Sequence, residues 1–286
     1  MSANLEGTGR ASLAAALTRL DEASRADHIY LAASDRCAYL AQYCTGRGRA
    51  GDGGDGSNLR LLRNYKCEPS RTRGDRRRSR YKQQAIATLG AWLRQSVPRR
   101  LAESCTWIPI PPSQRADDPE FDDRLARTLL LAFDGYDVDI RSLLYQTRST
   151  PRDHSGHARL SEQALFEILR IDDAQLARCA VRRRVVLFDD VLTSGKHFKC
   201  CERRLKEVMP DVPIAGVFLM RRAPPRNQAQ PGTRLVAIRR ARPVPRCPLP
   251  AWWRRGGRGR RYRACARHRR WRDGRLARWP PLRLPV

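Results

Sequence analysis

Four apolar residues, Val185-Val186-Leu187-Phe188, stand between Arg182-Arg183-Arg184 and an acidic pair, Asp189-Asp190. A run this short and this rich in β-branched residues predicts a strand buried on both faces, as in a parallel sheet. Val191-Leu192 and the turn Thr193-Ser194-Gly195 come next. Beyond them Phe198, Cys201, Leu205 and Val208 recur at steps of three and four, which predicts an amphipathic helix. The order is strand, acids, hydroxyl-rich turn, helix. It sets Asp189 and Asp190 at the carboxyl end of a strand, where open α/β sheets bind ligands. It also sets the free amides of Thr193 to His197 at a helix start, which suits an anion. Two adjacent acids there can hold sugar hydroxyls or a hydrated Mg²⁺; the plainer alternative is a surface turn in which they cap the helix.

The rest of the chain is organised around that stretch. Leu13, Ala16, Leu17 and Leu20 form a helical stripe within 1–25. Tyr30 to Tyr43, with Leu31, Cys37, Tyr39 and Leu40, reads as a short helix packing its aromatics. The glycine-rich 46–56 has the composition of a loop; without G-K-[ST] or a preceding strand it is neither a Walker A nor a dinucleotide fingerprint. Ser57 begins a helix to Lys66, whose Asn58, Asn64 and Lys66 are candidate polar contacts over an acceptor pocket. Arg71 to Arg80 is a basic hinge, and Tyr81 to Leu93 a helix carrying Ile86, Leu89 and Leu93. Thr106 to Ile110 reads as a second strand. It is followed by the loop Pro111-Pro112-Ser113-Gln114-Arg115 and a helix from Glu120 to Phe133. Val138 to Tyr145 is a further strand. The polar stretch from Gln146 to Arg159 is long for a simple connection and is a candidate lid. Leu160 to Ile171 is compatible with a helix or a short strand, and Asp172 to Cys179 with a turn or short helix. Ile214 to Met220 closes the organised block as another buried strand.

Composition changes this picture at one end only. The chain has 286 residues and a formal charge of +28, with 41% hydrophobic residues, enough for a core. From Arg221 to Val286 there are 21 Arg, no Lys and one acid, Asp273, so that segment alone carries +20. Residues 223–286, rich in Arg, Pro and Gly, are expected to be disordered. Arg beside Trp and Tyr there suits contact with RNA or single-stranded DNA; a tail without a selected role is the competing reading. No apolar run approaches bilayer-spanning length, and the first twenty residues show no signal-peptide pattern. Nine scattered cysteines argue against a disulfide framework. A cytoplasmic protein with no membrane association is the expectation. Cys201 is expected in the core, and neither Cys200 nor Cys201 is read as functional.

The stretch Val185–His197 resembles the phosphoribosyl pyrophosphate (PRPP) signature of type I phosphoribosyltransferases. It is most similar to the ComF-like, amidophosphoribosyltransferase-related branch, in which a V-P-V-P strand precedes a basic loop, as W-I-P-I-P-P does here. The resemblance covers about 106–222. It implies an α/β fold with a mainly parallel sheet and flanking helices (101–222) and a mostly helical hood (1–100); the basic tail (223–286) lies outside it. It implies that Asp189 and Asp190 contact the ribose. Val191, Leu192, Thr193, Ser194, Gly195, Lys196 and His197 would cradle the 5′-phosphate, and Ser113, Gln114 and Arg115 would bind pyrophosphate. Thr147, Arg148, Arg152, His154 and the catalytic Arg159 would form a closing lid. His154 departs from the Gln of that branch, and Thr193 stands where purine-salvage relatives carry an acid. The implied activity is transfer of a phosphoribosyl group to or from a nitrogenous base or amine. Mg²⁺ would be carried by PRPP near Asp189 and Asp190, with no direct protein ligand assigned. A homodimer is left open, as is the alternative of a non-catalytic regulator that senses PRPP or a nucleotide, or of a nucleic-acid-associated protein using the tail.

Overall fold

The computed structural model describes residues 17–44, 55–150 and 160–224. In chain order the elements are β1 (Thr18–Arg19), α1 (Glu22–Arg25), β2 (Cys37–Cys44), α2 (Asp55–Tyr65), α3 (Pro69–Thr72), α4 (Arg76–Ser96), α5 (Arg99–Ala102), β3 (Cys105–Pro109) and α6 (Arg124–Ala132). There follow β4 (Asp139–Ile140), β5 (Leu144–Gln146), α7 (Glu162–Ile168), β6 (Leu169–Ile171), α8 (Asp173–Ala177), β7 (Arg184–Leu192), α9 (Lys196–Lys206) and β8 (Ile214–Ala223). Six strands form one sheet in the order β1-β2-β8-β7-β3-β4, parallel except for β1. β5 and β6 make a separate antiparallel pair.

β7 is central because Val185, Val186, Leu187 and Phe188 are each fully buried, with β3 on one side and β8 on the other. Successive side chains point to opposite faces, so this run feeds two cores. On one face Phe188 meets Trp107, whose ring lies 4.9 Å from that of Phe133, beneath α4 and α6. On the other, Leu187 and Ile108 join Phe198, Cys201 and Leu205 of α9, with Cys200 and Cys201 both buried. From β3 the chain winds outward through α6 to β4; from β7 it winds the other way through α9 to β8. The winding therefore reverses between β3 and β7, a topological switch point where the carboxyl ends of the strands leave a crevice.

Several sequence expectations change. The region from Tyr30 to Tyr43 is not a helix: Cys37–Cys44 forms β2 along β8, with Cys37, Ala38, Leu40 and Tyr43 buried. Long-range pairing overrides the weak local preference of a Cys/Ala/Tyr/Leu segment. Within 17–25, Thr18–Arg19 is a strand and only Glu22–Arg25 is helical. The basic hinge is taken up by α3 and by α4, which starts at Arg76 because the Asp75 carboxylate caps the Arg78 N–H (2.9 Å). α6 starts at Arg124 rather than Glu120, whose carboxylate holds Ser70 and Arg73 instead. Leu160–Ile171 is both alternatives in turn, α7 then β6.

The single strand expected over Val138–Tyr145 is split at Arg141. This buried guanidinium pairs with Asp139 (2.7 Å) and donates to the carbonyls of Cys179 (2.7 Å) and Ala180 (3.0 Å). Turning Arg141 inward satisfies the segment that leads into β7, at the expense of strand continuity. The expectations for the 1–16 helix, the 46–54 loop and the tail from 225 onward lie outside the described residues. Among the described residues no helix is long and apolar enough to cross a membrane.

Removing the Arg141 charge takes the guanidinium from the carbonyls of Cys179 and Ala180 and leaves Asp139 with the Thr106 hydroxyl (2.6 Å) in place of a cation. Arg141→Leu should destabilise the protein by about 3–5 kcal/mol, read as a lowered urea midpoint with unchanged slope. An unchanged midpoint would show that this guanidinium does not hold the turn.

Candidate functional site

Two loops leave the sheet side by side. The Ile110 N–H donates to the Phe188 carbonyl (2.9 Å), so the loop after β3 starts level with Asp189-Asp190, within the last four residues of β7. The two acids differ sharply. Asp190 is 4% exposed and lies on the α6 face. Its Oδ1 accepts from Lys66 Nζ (3.1 Å), and its Oδ2 accepts from Arg124 Nε (3.2 Å) and Nη2 (2.5 Å). Arg124 also donates through Nη1 to Asp122 Oδ2 (2.9 Å), which accepts from the buried Lys82 (2.8 Å). The result is an alternating chain, Lys66–Asp190–Arg124–Asp122–Lys82, joining α2, β7, α6 and α4. Tyr65 supports it from below, with Arg124 5.7 Å from its ring centre and its hydroxyl 2.9 Å from Thr128 Oγ1.

Burial alone would raise the Asp190 pKa, but Lys66 and Arg124 outweigh it and hold this carboxyl well below the usual carboxylate range. Asp189 shows the opposite. Burial, reinforced by the Asp190 charge, pushes it up to about 7. Its Oδ1 accepts the backbone N–H of Asp190 (2.7 Å). Near neutral pH the site therefore holds one fixed carboxylate already matched by two cations and one carboxyl poised between its two forms.

The Thr193–Gly195 turn is shaped by residues far away in the chain. Gly195 adopts φ +85°, a conformation that favours glycine, and a Cβ there would also have to push aside the Leu31 side chain, whose Cδ2 lies 2.7 Å from it. The Tyr30 N–H donates to the Ser194 carbonyl (3.0 Å). His28 Nδ1–H donates to the Thr193 carbonyl, while its Nε2 accepts from Arg221 Nε (3.1 Å). That tautomer is the neutral one, and burial, aided by Arg221, lowers the His28 pKa. Arg221 is held in turn by Asp27, Gln42 and the Ser24 carbonyl.

The expected pyrophosphate loop meets the start of the expected lid. The Thr150 N–H donates to the Ser113 carbonyl (2.8 Å), and the Arg115 N–H to Ser149 Oγ (3.1 Å). Ser113 Oγ donates to Gln114 (3.0 Å), and the Arg115 guanidinium lies on Asp117 (2.8 Å). The Thr147 N–H is tied to Ile168, and Arg148 is exposed. Lys196 reaches from the phosphate-loop candidate to the Leu160 carbonyl (2.5 Å). Val191 and Leu192 complete β7 as buried residues, and His197 sits in the first turn of α9. Arg152, His154 and Arg159 lie outside the described residues. Of the α2 contacts, Lys66 reaches the site, whereas Asn58 donates to the Gln42 carbonyl (3.0 Å) and anchors α2 on β2.

Sequence reasoning missed Arg124, Asp122, Lys82, His28 and Arg221, because a charge reads as solvent-facing until its distant partner is known. Among the described residues, no group of three or more His, Cys, Asp or Glu is gathered to hold a metal. No family model, curated protein or solved structure matches this chain.

The two acids should respond oppositely to neutralisation. Asp190→Asn leaves Arg124 with Asp122 as its remaining carboxylate and releases the 34% exposed Lys66 side chain to solvent, and should destabilise by about 3 kcal/mol. For Asp189, a folded-state pKa above the unfolded value means that the folded state binds more protons between about pH 4 and 7. Stability is therefore lost as pH rises through that window. Asp189→Asn should raise the melting temperature at pH 8 and lose that advantage towards pH 4; equal effects at both pH values would contradict the assignment. His28 has the reverse sign. Its lowered folded-state pKa means stability falls as pH drops below about 6.5, a slope that His28→Asn should remove from a melting-temperature series.

Proposed function

We propose that this chain binds Mg²⁺–PRPP in the crevice at the carboxyl ends of β7 and β3 and transfers the phosphoribosyl group to, or from, a nitrogenous acceptor, with a type I phosphoribosyltransferase fold. The observation that carries this reading is the position of the Asp-Asp, Thr-Ser-Gly, helix stretch at the switch point of a parallel sheet, beside a second polar loop. The amides opening α9 suit the 5′-phosphate, and the left-handed Gly195 makes the turn that leads into them, with Leu31 packed on its other side. Asp189 is the acid free of strong ion pairing, so it takes the ribose hydroxyls. Mg²⁺ arrives with PRPP as part of the substrate, and Asp189 is the carboxylate that can stand near it.

In the forward direction the bond between the ribose carbon and the pyrophosphate oxygen breaks, and the pyrophosphate keeps the electron pair. The acceptor nitrogen supplies the pair for the new bond. The chain contributes position and charge rather than covalent chemistry. The Ser113–Arg115 loop, with Thr147 and Arg148, receives the leaving pyrophosphate, and Arg115 exchanges the exposed Asp117 for it. Arg152, His154 and Arg159 complete the lid in this proposal and exclude water from the reacting carbon. α2, with Lys66 directly after its last residue, serves as the hood on the acceptor side.

A second reading is favoured by one observation. Asp190 is already neutralised by two cations, which suits a site that senses PRPP or a nucleotide without turning it over.

The decisive experiment is calorimetric titration of wild type and Asp189→Asn with PRPP and Mg²⁺, paired with a pyrophosphate-release assay over a panel of bases and amines. The enzyme reading expects binding, release with at least one acceptor, and roughly tenfold or greater weakening in Asp189→Asn. Hydroxyl donors and a cation favour ionised Asp189, so binding near pH 7 should release protons, detected as a dependence of the heat on buffer. Binding without release supports the sensor. No wild-type binding at millimolar PRPP ends both readings.

A further inference from the structure

Outside this crevice the described residues form a cleft of about 510 Å³ on the solvent side of α4, bounded by α3 and the turn between them. It is lined by Thr72, Gly74, Arg76, Ser79, Arg80 and Gln83. The volume lies within the range of about 300–1,000 Å³ of small-molecule sites. The wall chemistry is unusual in having no carboxylate and no large apolar side chain. Arg76 and Arg80 are one helical turn apart, exposed, and make no ion pair among the described residues. The Gln83 carbonyl oxygen accepts from Arg127, which leaves its amide N–H₂ group as the part able to meet a ligand. Ser79 adds a hydroxyl donor, while the Thr72 hydroxyl is already given to the Pro69 carbonyl (2.9 Å). Asp75, the nearest acid in sequence, is committed to the Arg78 N–H and guanidinium (3.1 Å).

We infer that this cleft is a binding site for a small polyphosphate-bearing anion, separate from the acid-pair crevice. Cationic donors with no carboxylate beside them in the wall select an anion, and two guanidinium groups select phosphate, whose oxygens take paired N–H donors. The distribution of free charge selects a compact ligand over a nucleic-acid strand. Arg71, Arg73 and Arg78 flank the cleft, but each is matched by a carboxylate, from Glu68, Glu120 and Asp75. Arg77 donates to the Tyr81 hydroxyl (3.1 Å). Around the cleft, positive charge without a carboxylate partner is therefore limited to Arg76, Arg77 and Arg80 on the first turns of α4, a short cluster rather than the extended track a strand needs. The helix itself separates the two sites: Lys82, Ile86 and Leu89 form its buried face, and Arg76, Arg80 and Gln83 its exposed one.

The test is arginine footprinting of the full-length chain with phenylglyoxal, read residue by residue by mass spectrometry, with inorganic tripolyphosphate and, separately, ATP as probes. Millimolar probe should slow modification of Arg76 and Arg80 by roughly fivefold or more relative to the exposed Arg100. Arg76→Gln should abolish the protection of Arg80 at the same probe concentration. Asp189→Asn should leave the protection intact, which separates this site from the PRPP reading. Equal protection of Arg76, Arg80 and Arg100, or none at all, overturns the inference. So does protection by a single-stranded oligonucleotide when neither small probe protects, which would make this face a nucleic-acid surface.

Discussion

A carboxylate buried at the end of the central strand must be compensated from somewhere, and the way this chain compensates Asp190 organises one whole side of the molecule. Removing such a charge from water costs several kcal/mol even after relaxation. Lys66 comes from the end of α2 and Arg124 from the first turn of α6; Arg124 in turn needs Asp122, and Asp122 needs Lys82 from α4. Three helices are therefore placed by the needs of one strand residue. Ion-pair chains of this kind contribute little net stability compared with an apolar core of the same volume. What this one contributes is definition: α2, α4 and α6 can dock on the sheet in only one register without stranding a charge.

The same chain divides two adjacent, chemically identical residues into different roles. Alternation along β7 sends Asp190 toward α6 with Phe188, and Asp189 toward the opposite face, where α9 packs. Only one face carries the cations. Asp189 is left with burial and a neighbouring negative charge, both of which favour its protonated form. A pair that reads in sequence as two equal ligands becomes one structural anion and one titratable carboxyl. Any ligand in the crevice meets Asp189 as the variable group and Asp190 as a fixed part of the wall.

How much was legible in the sequence follows from how local each signal is. Val185–Gly195 was readable because strand, acids, turn and helix are contiguous, and each imposes its own residue types. β3 and β8 were readable for the same reason, as short, mostly apolar runs. β2 was not, since Cys37–Cys44 has no β-branched residue and is a strand because β8 and β1 lie beside it. The break in the strand expected over Val138–Tyr145 depends on carbonyls 38 and 39 positions away from Arg141. The site partners follow the same rule: Lys66 lies 124 positions from Asp190, and His28 lies 165 from Thr193. No periodicity encodes pairings over such separations, so the acids were foreseen and their partners, apart from the general direction of Lys66, were not.

The phosphate-loop candidate shows where this dependence leads. A Thr-Ser-Gly turn in isolation has no fixed shape, and its usefulness to an anion rests on amides held outward with the carbonyls tied back. Here the carbonyls of Thr193 and Ser194 are tied back by His28 and Tyr30, which precede β2 at the far side of the sheet. Arg221, on β8 between them, fixes the His28 tautomer that makes this possible. The strand that the sequence hid is thus also what carries the strap across: without β2 docked on β8, residues 28–31 have no reason to lie over the turn. The loop's chemistry is written in eleven consecutive residues, but its geometry belongs to the sheet.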